Sequence, residues 1–154
     1  MPILTFLGHA CFLLEEKDQE TLLFDPFISG NPLAPVSAEE ISADYIIVSH
    51  AHGDHLGDAY AIAAKNDALI ISTAEIAEAA QGEGCRAHAL HIGGSHRFSF
   101  GPVKVTPALH GAGIPGGHAC GFLIGYGGKT IYFAGDTGLF GDMKLIGELN
   151  SLDL

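Results

Sequence analysis

Apolar positions alternate or cluster in short runs near both ends of this chain, and two continuous runs lie in its middle. "PILTFL" (2–7), "CFLLEE" (11–16) and "TLLFD" (21–25) read as a meander of three strands, with "KDQ" as one turn. "PFISGNPLAPV" (26–36) is rich in Pro and Gly and reads as a loop. "YIIVS" (45–49) and "ALIIS" (68–72) are continuous apolar runs, the pattern of strands buried on both faces. Between them Leu56, Tyr60, Ala63 and Ala64 recur at helical spacing, which predicts a strand–helix–strand unit. Ser37 with Glu40 and Ser72 with Glu75 each fit a capping box, so short helices are expected to start there. Further strands are expected in "CRAHAL" (85–90), "HRFSF" (96–100), "VKVTPAL" (103–109), "ACGFLIGY" (119–126) and "KTIYFAG" (129–135). "GYGGK" reads as a hairpin turn. A last helix is expected over about 140–149, with Leu145, Ile146 and Leu149 facing inward. The fold class is therefore α/β in the broad sense (α+β).

Composition narrows this further. At 154 residues the chain is one domain, 1–154, large enough for a real core. With 47% hydrophobic and 16% charged residues, neither disorder nor a coiled coil is expected. The net charge of −11 argues against nucleic acid as a partner, since a phosphate backbone needs a basic face. It also argues against a surface that binds anionic lipid, and no run approaches the length of a membrane span. Cys11, Cys85 and Cys120 are scattered and odd in number, so no disulfide framework is expected and a reducing cytoplasm is the default location. They read most simply as small core residues.

The candidate chemistry sits in "SHAHGDH" (49–55), where His50, His52, Asp54 and His55 fall between a strand and a helix. Side chains alternate in an extended segment, so His50 and His52 point the same way. Gly53 allows a sharp turn, and Asp54 and His55 then approach from a second direction at the mouth of the helix. One segment can therefore serve two neighbouring metal ions. A polar helix-capping turn would account for Asp54 but for none of the three histidines.

H-x-H-x-D-H after a buried strand resembles the signature of the metallo-β-lactamase fold hydrolases. "PALHG" adds His110 and "YFAGDTG" adds Asp136, each at the end of a strand. "FLGHACFLLE" and "LLFDPFISGNP" resemble the branch that includes L-ascorbate 6-phosphate lactonase and is related to N-acyl-phosphatidylethanolamine phospholipase D. The resemblance covers essentially the whole chain. It implies an αββα sandwich with two metal ions at one edge of the paired sheets. It implies His50, His52 and His110 around the first ion, Asp54 and His55 on the second, and Asp136 bridging both. Imidazoles with one shared carboxylate suit zinc above all, with manganese, iron or nickel possible, and spacing alone does not choose among them. The implied activity is hydrolysis of a small ester, lactone or phosphoester by a metal-bridging hydroxide, with Asp54 and Asp136 as the catalytic carboxylates and a pocket histidine as the alternative to Asp54 for moving protons. The alternatives are a nuclease or phosphodiesterase of the same fold, and a metal-binding module without activity.

The resemblance also implies a last histidine on the second ion, supplied far downstream, whereas no histidine follows His118. "LDL" (152–154) reads as the start of a buried strand. The expectation is therefore a domain truncated at its C-terminus and lacking most of the second half of the sandwich. Its bare face would be covered by a second copy in a homo-oligomer, by a missing C-terminal segment, or by the helix over 140–149. Three residues are expected near the site without being ligands by motif. His9 in "LGHAC" would lie near the metals or pack at a turn. Asp25 in "FDPF" would orient a metal-bound histidine or form a turn before Pro26. His118 follows the Gly-rich loop 111–117, which would border the substrate pocket. His91 and His96 read as solvated turn residues and His88 as structural.

Overall fold

The computed structural model describes all residues, 1–154. Six strands form the first sheet in chain order: β1 (Ile3–Gly8), β2 (Cys11–Glu15), β3 (Leu22–Phe24), β4 (Tyr45–Ile47), β5 (Leu69–Thr73) and β6 (Arg86–Leu90). The first three are antiparallel, and β3 to β6 run parallel. The second sheet is antiparallel, in the order β10 (Lys129–Phe133), β9 (Cys120–Tyr126), β8 (Pro102–Pro107), β7 (Ser95–Arg97). Helices α1 (Gly53–Leu56), α2 (Ala59–Asn66) and α3 (Ala74–Gly82) follow strands of the first sheet, and α4 (Asp142–Asn150) follows the second. Gly127 and Gly128, both at positive φ, close the β9–β10 hairpin as its spacing predicts.

The continuous apolar runs are explained by burial on both faces. Leu23, Ile46 and Ile70 pack beneath the helices with Ile62 and Ile76. Their neighbours Phe24, Ile47 and Ile71 point the other way, onto Val105, Phe122 and Ile124 of the second sheet. A strand between two apolar layers loses its alternation, because both sides leave water. The layers are thus helix, sheet, sheet, helix. The second half is smaller than the first, with four strands and one helix.

Several expectations are corrected. The inner face of the first sheet is covered in part: "GFLIGY" is interior and the second sheet packs on β3 to β5, while Leu4 and Phe6 at the β1 edge of that face stay exposed. Ser72 does not cap a helix. It is the buried penultimate residue of β5, its hydroxyl donates to the Val48 carbonyl at 2.7 Å, and Thr73 stands at the N-cap of α3. The helix after "SHAHGDH" breaks at Gly57, which shifts the buried stripe to Ala59, Ile62 and Ala63. Gly57 lies so close to the Pro26 carbonyl that an added Cβ would meet it at 2.4 Å, so the break is set by contact with the loop 26–36. In α4 only Ile146 is buried, while Leu145 is half exposed and Leu149 largely exposed. The strand expected over 96–100 is shorter, since residues 98–101 close a turn by paired hydrogen bonds between Phe98 and Gly101. Residues 153–154 run beside β10, where Asp153 N–H donates to Thr130 O and Tyr132 N–H to Leu154 O, both at 2.8 Å. Leu154 itself is exposed, not buried. No helix is long and apolar enough to cross a membrane.

Candidate metal centre

The three segments that carry the candidate ligands are tied together at one edge of the sandwich by backbone hydrogen bonds. Cys120 N–H, at the start of β9, donates to Ser49 O at 3.0 Å, just beyond β4. Leu109 N–H donates to the Thr137 hydroxyl at 2.8 Å, and Gly138 N–H returns a bond to Leu109 O at 3.1 Å. His110 and Asp136 are therefore brought side by side. Ala51 N–H donates to Ala112 O at 2.8 Å, which lays the loop 111–117 directly on the segment carrying His50 and His52. Gly113 is required there. Its φ is +71°, and a Cβ would lie 2.5 Å from the backbone of Ala51 and His52. Gly113→Ala should therefore destabilise the protein by about 2 kcal/mol or more and weaken metal binding, read by denaturant unfolding and metal titration.

His50, His52 and His110 present nitrogens that all lie within 4.8 Å of one another. His50 Nε2 is 3.0 Å from His52 Nδ1. The His110 ring stands nearly perpendicular to both, at centroid distances of 4.9 and 5.1 Å. His55 approaches from α1, and its Nε2 lies 3.4 Å from Asp136 Oδ2. The same Asp136 oxygen is 3.7 Å from His110 Nε2, so this carboxylate stands between the two groups of histidines. Asp54, in the first turn of α1, is half exposed at the mouth. Slight burial works against its ionisation, but its own backbone N–H and the neighbouring His55 and His9 outweigh this and hold its pKa below the usual value.

Asp25 organises the centre from below. It is fully buried, at a left-handed φ of 37°. Its Oδ1 accepts from Ser49 N–H at 2.7 Å, and its Oδ2 accepts from the Ser49 hydroxyl at 2.6 Å and from His55 Nδ1 at 2.7 Å. Since the Ser49 proton goes to Asp25, His50 Nδ1, 2.9 Å from that hydroxyl, is the donor of its pair. Both His50 and His55 are thereby fixed as Nδ1–H tautomers, which leaves each Nε2 lone pair aimed into the site. Ser49 was passed over in the sequence, although a small polar residue directly before the first histidine was the available signal. Burial pushes the His50 pKa down to about 4, aided by His55, His52 and His110 and opposed by Asp136. His50 is thus a neutral base at neutral pH. For His55 burial acts the same way, but the hydrogen bond and charge of Asp25, then Asp136 and Asp54, outweigh it and raise the pKa.

These donors fit divalent cations. Imidazole nitrogens crowded together beside a carboxylate are stabilised by a positive charge, and imidazole with carboxylate is the ligand set of zinc and its first-row neighbours. Asp25 also lies within reach of His50 and His55. Its oxygens already accept three hydrogen bonds, which makes it the residue that orients the ligands. His9 is brought to the site, with Nε2 3.2 Å from His55 Nε2. His118 is not part of the cluster. It lines a separate polar cleft of about 240 Å³ with Thr73, Glu75, His91 and Ile92. His88 and His96 face each other elsewhere, at 4.3 Å between centroids.

Comparison with known proteins gives the family. The beta-lactamase superfamily domain matches residues 20–154. The chain belongs to this family. A UPF0173 metal-dependent hydrolase from Natranaerobius thermophilus is 56% identical over 151 residues, covering 98% of this chain and 68% of that protein. Another from Pelotomaculum thermopropionicum is 53% identical over 158 residues, covering 97% of this chain and 68% of that protein. Among solved structures, Igni18, a metallo hydrolase from Ignicoccus hospitalis, superposes with a TM-score of 0.87 at 34% identity, covering 97% of this chain and 66% of that one. The chain thus spans about two thirds of the length of these relatives. The matched members are metal-dependent hydrolases with the metallo-β-lactamase fold.

Proposed function

We propose that this chain carries the binuclear centre of a hydrolase acting on a small ester, lactone or phosphoester. The observation that carries the reading is the position of Asp136 between His110 and His55, with separate groups of donors on either side. His50, His52 and His110 would hold the first ion, Asp54 and His55 the second, and Asp136 would bridge them. Zinc is the favoured ion, with manganese, iron and nickel compatible with the donors. Two such ions, when bound, would polarise the scissile carbonyl or phosphoryl and acidify a water enough to attack near neutral pH.

The chain's own residues supply orientation and proton handling. Asp25 and Ser49 hold the His50 and His55 rings in one tautomer, so the ligand set is preorganised. Asp54, held below its usual pKa and open to solvent at the mouth, would be the group that accepts a proton from the attacking water. The loop 111–117 walls the site beside His52, where Gly111 lies 3.4 Å, measured from an added Cβ, from that ring. The acidic balance, 18 Asp and Glu against 7 Lys and Arg, favours a small substrate over a nucleic acid.

The test is turnover of generic ester, lactone and phosphodiester substrates with metal content measured in parallel. Activity should disappear on chelation and return with zinc or manganese. Hydrolysis that survives complete metal removal would refute the reading, and phosphodiester cleavage alone would move it to the nuclease class.

A further inference from the structure

His9 comes from the turn between β1 and β2, far in sequence from the "SHAHGDH" cluster. Its Nε2 nevertheless lies 3.2 Å from His55 Nε2 and 3.3 Å from Asp54 Oδ2, and the donor atoms of the three residues lie within 4.8 Å of one another. The fold constrains this placement. His9 sits at φ 55°, a left-handed conformation that few side chains adopt, directly after Gly8 at φ 98°. Gly8 is pressed onto the loop 26–36, where an added Cβ would meet Asn31 Nδ2 at 2.7 Å. Phe27 of the same loop stands edge-on to the His9 ring, at 5.8 Å between centroids and 82° between planes. The imidazole is therefore aimed by its surroundings.

We infer that His9 is a ligand of the second metal position, beside Asp54, His55 and Asp136. This rests on the binuclear reading above and adds a donor that the H-x-H-x-D-H motif does not contain. The His55 Nδ1 proton is committed to Asp25, so His55 Nε2 offers a lone pair on the side where His9 stands. Donor atoms 3.2 and 3.3 Å apart, each roughly 2.0–2.2 Å from one ion, would subtend about 100° at it, close to tetrahedral. A simple hydrogen bond from His9 to His55 would instead consume the lone pair that the second position uses. The His9 ring is also partly exposed at the mouth, so a ligand there would govern how readily the second ion exchanges.

The experiment is titration of the metal-free 154-residue chain with zinc, and with cobalt(II) as a spectroscopic probe. His9→Asn is the informative variant, because Asn tolerates the left-handed backbone but is too short to reach the position of the imidazole. The unsubstituted chain should take up two ions. His9→Asn should keep the first with unchanged affinity, lose at least about tenfold in affinity for the second, and change the visible spectrum of the second cobalt equivalent. His110→Ala should weaken the first position instead. Circular dichroism melting of the metal-free forms checks that both variants fold. Two ions held by His9→Asn with wild-type affinity and an unchanged cobalt spectrum would overturn the assignment while leaving the binuclear reading intact. No metal uptake by the unsubstituted chain would overturn both.

Discussion

Asp25→Ala is expected to lower metal affinity by about 10–100-fold, the usual effect of removing the group that orients a ligand. It should also destabilise the metal-free fold by on the order of 4 kcal/mol. Three donors lose their acceptor at once: Ser49 N–H, the Ser49 hydroxyl and His55 Nδ1–H. Ser49 and His55 are fully buried, so water does not replace what is lost. Each unsatisfied buried donor costs about 1–3 kcal/mol. Alanine also fits poorly at φ 37°, where Asp and Asn are favoured. Asp25→Asn separates the two effects. It keeps the backbone preference and one accepting oxygen, but turns an amide N–H₂ toward the donors that Oδ2 receives. It should therefore lose metal affinity nearly as Ala does, with a smaller loss of stability. Guanidinium unfolding and metal titration of both variants read this out. Wild-type metal affinity in Asp25→Asn would reduce Asp25 to a turn-forming residue.

How far the sequence reached depended on whether an interaction is local. The crowding of His50, His52, Asp54 and His55 is visible by residue type alone, and the strand before it is a plain apolar run. His110 and Asp136 came from family resemblance, since nothing local says that residues 109 and 137 are hydrogen-bonded. The same holds for Asp58, which accepts from Ile28 N–H at 3.0 Å and Ser29 N–H at 2.8 Å and so pins the loop that carries Asp25. Pattern reading misplaced Ser72 because a buried serine that donates to a neighbouring strand looks like a cap in sequence. It misplaced Leu145 and Leu149 because which apolar positions of a helix are buried depends on what packs around it, which the helix's own pattern does not record. The four strands of the second sheet are each expected from their patterns, but not as a sheet that covers β3 to β5 of the first and leaves Leu4 and Phe6 of β1 exposed. Both faces of β9 are buried, and its neighbour β8 contributes Val103 and Val105 to the layer between the sheets.

Asp136→Ala should abolish hydrolysis while leaving the metal-free fold close to wild type. The two halves of this expectation have separate causes. Asp136 follows β10 on a segment held by other groups: Thr137 accepts from Leu109 N–H, and Gly138 bonds back to Leu109 O. Its side chain is 42% exposed and accepts no hydrogen bond, its contacts being the approaches to His55 and His110. Such a change is worth within about 0.5 kcal/mol, or at most roughly 2 °C in melting temperature for a chain of this size. Function is different, because Oδ2 is the atom that faces both His55 and His110. Its removal takes one donor from each proposed position and the only carboxylate between them. Uptake of both ions should weaken together, unlike His9→Asn, which should weaken one. Turnover should fall by about 10³-fold or more, since losing a single charge-stabilising donor already costs about 10²–10³. Asp136→Asn should recover part of the metal binding through its remaining oxygen and little of the rate. Undiminished hydrolysis by Asp136→Ala at matched metal content would rule out the bridge, and with it the shared-ligand arrangement on which the two-ion reading depends.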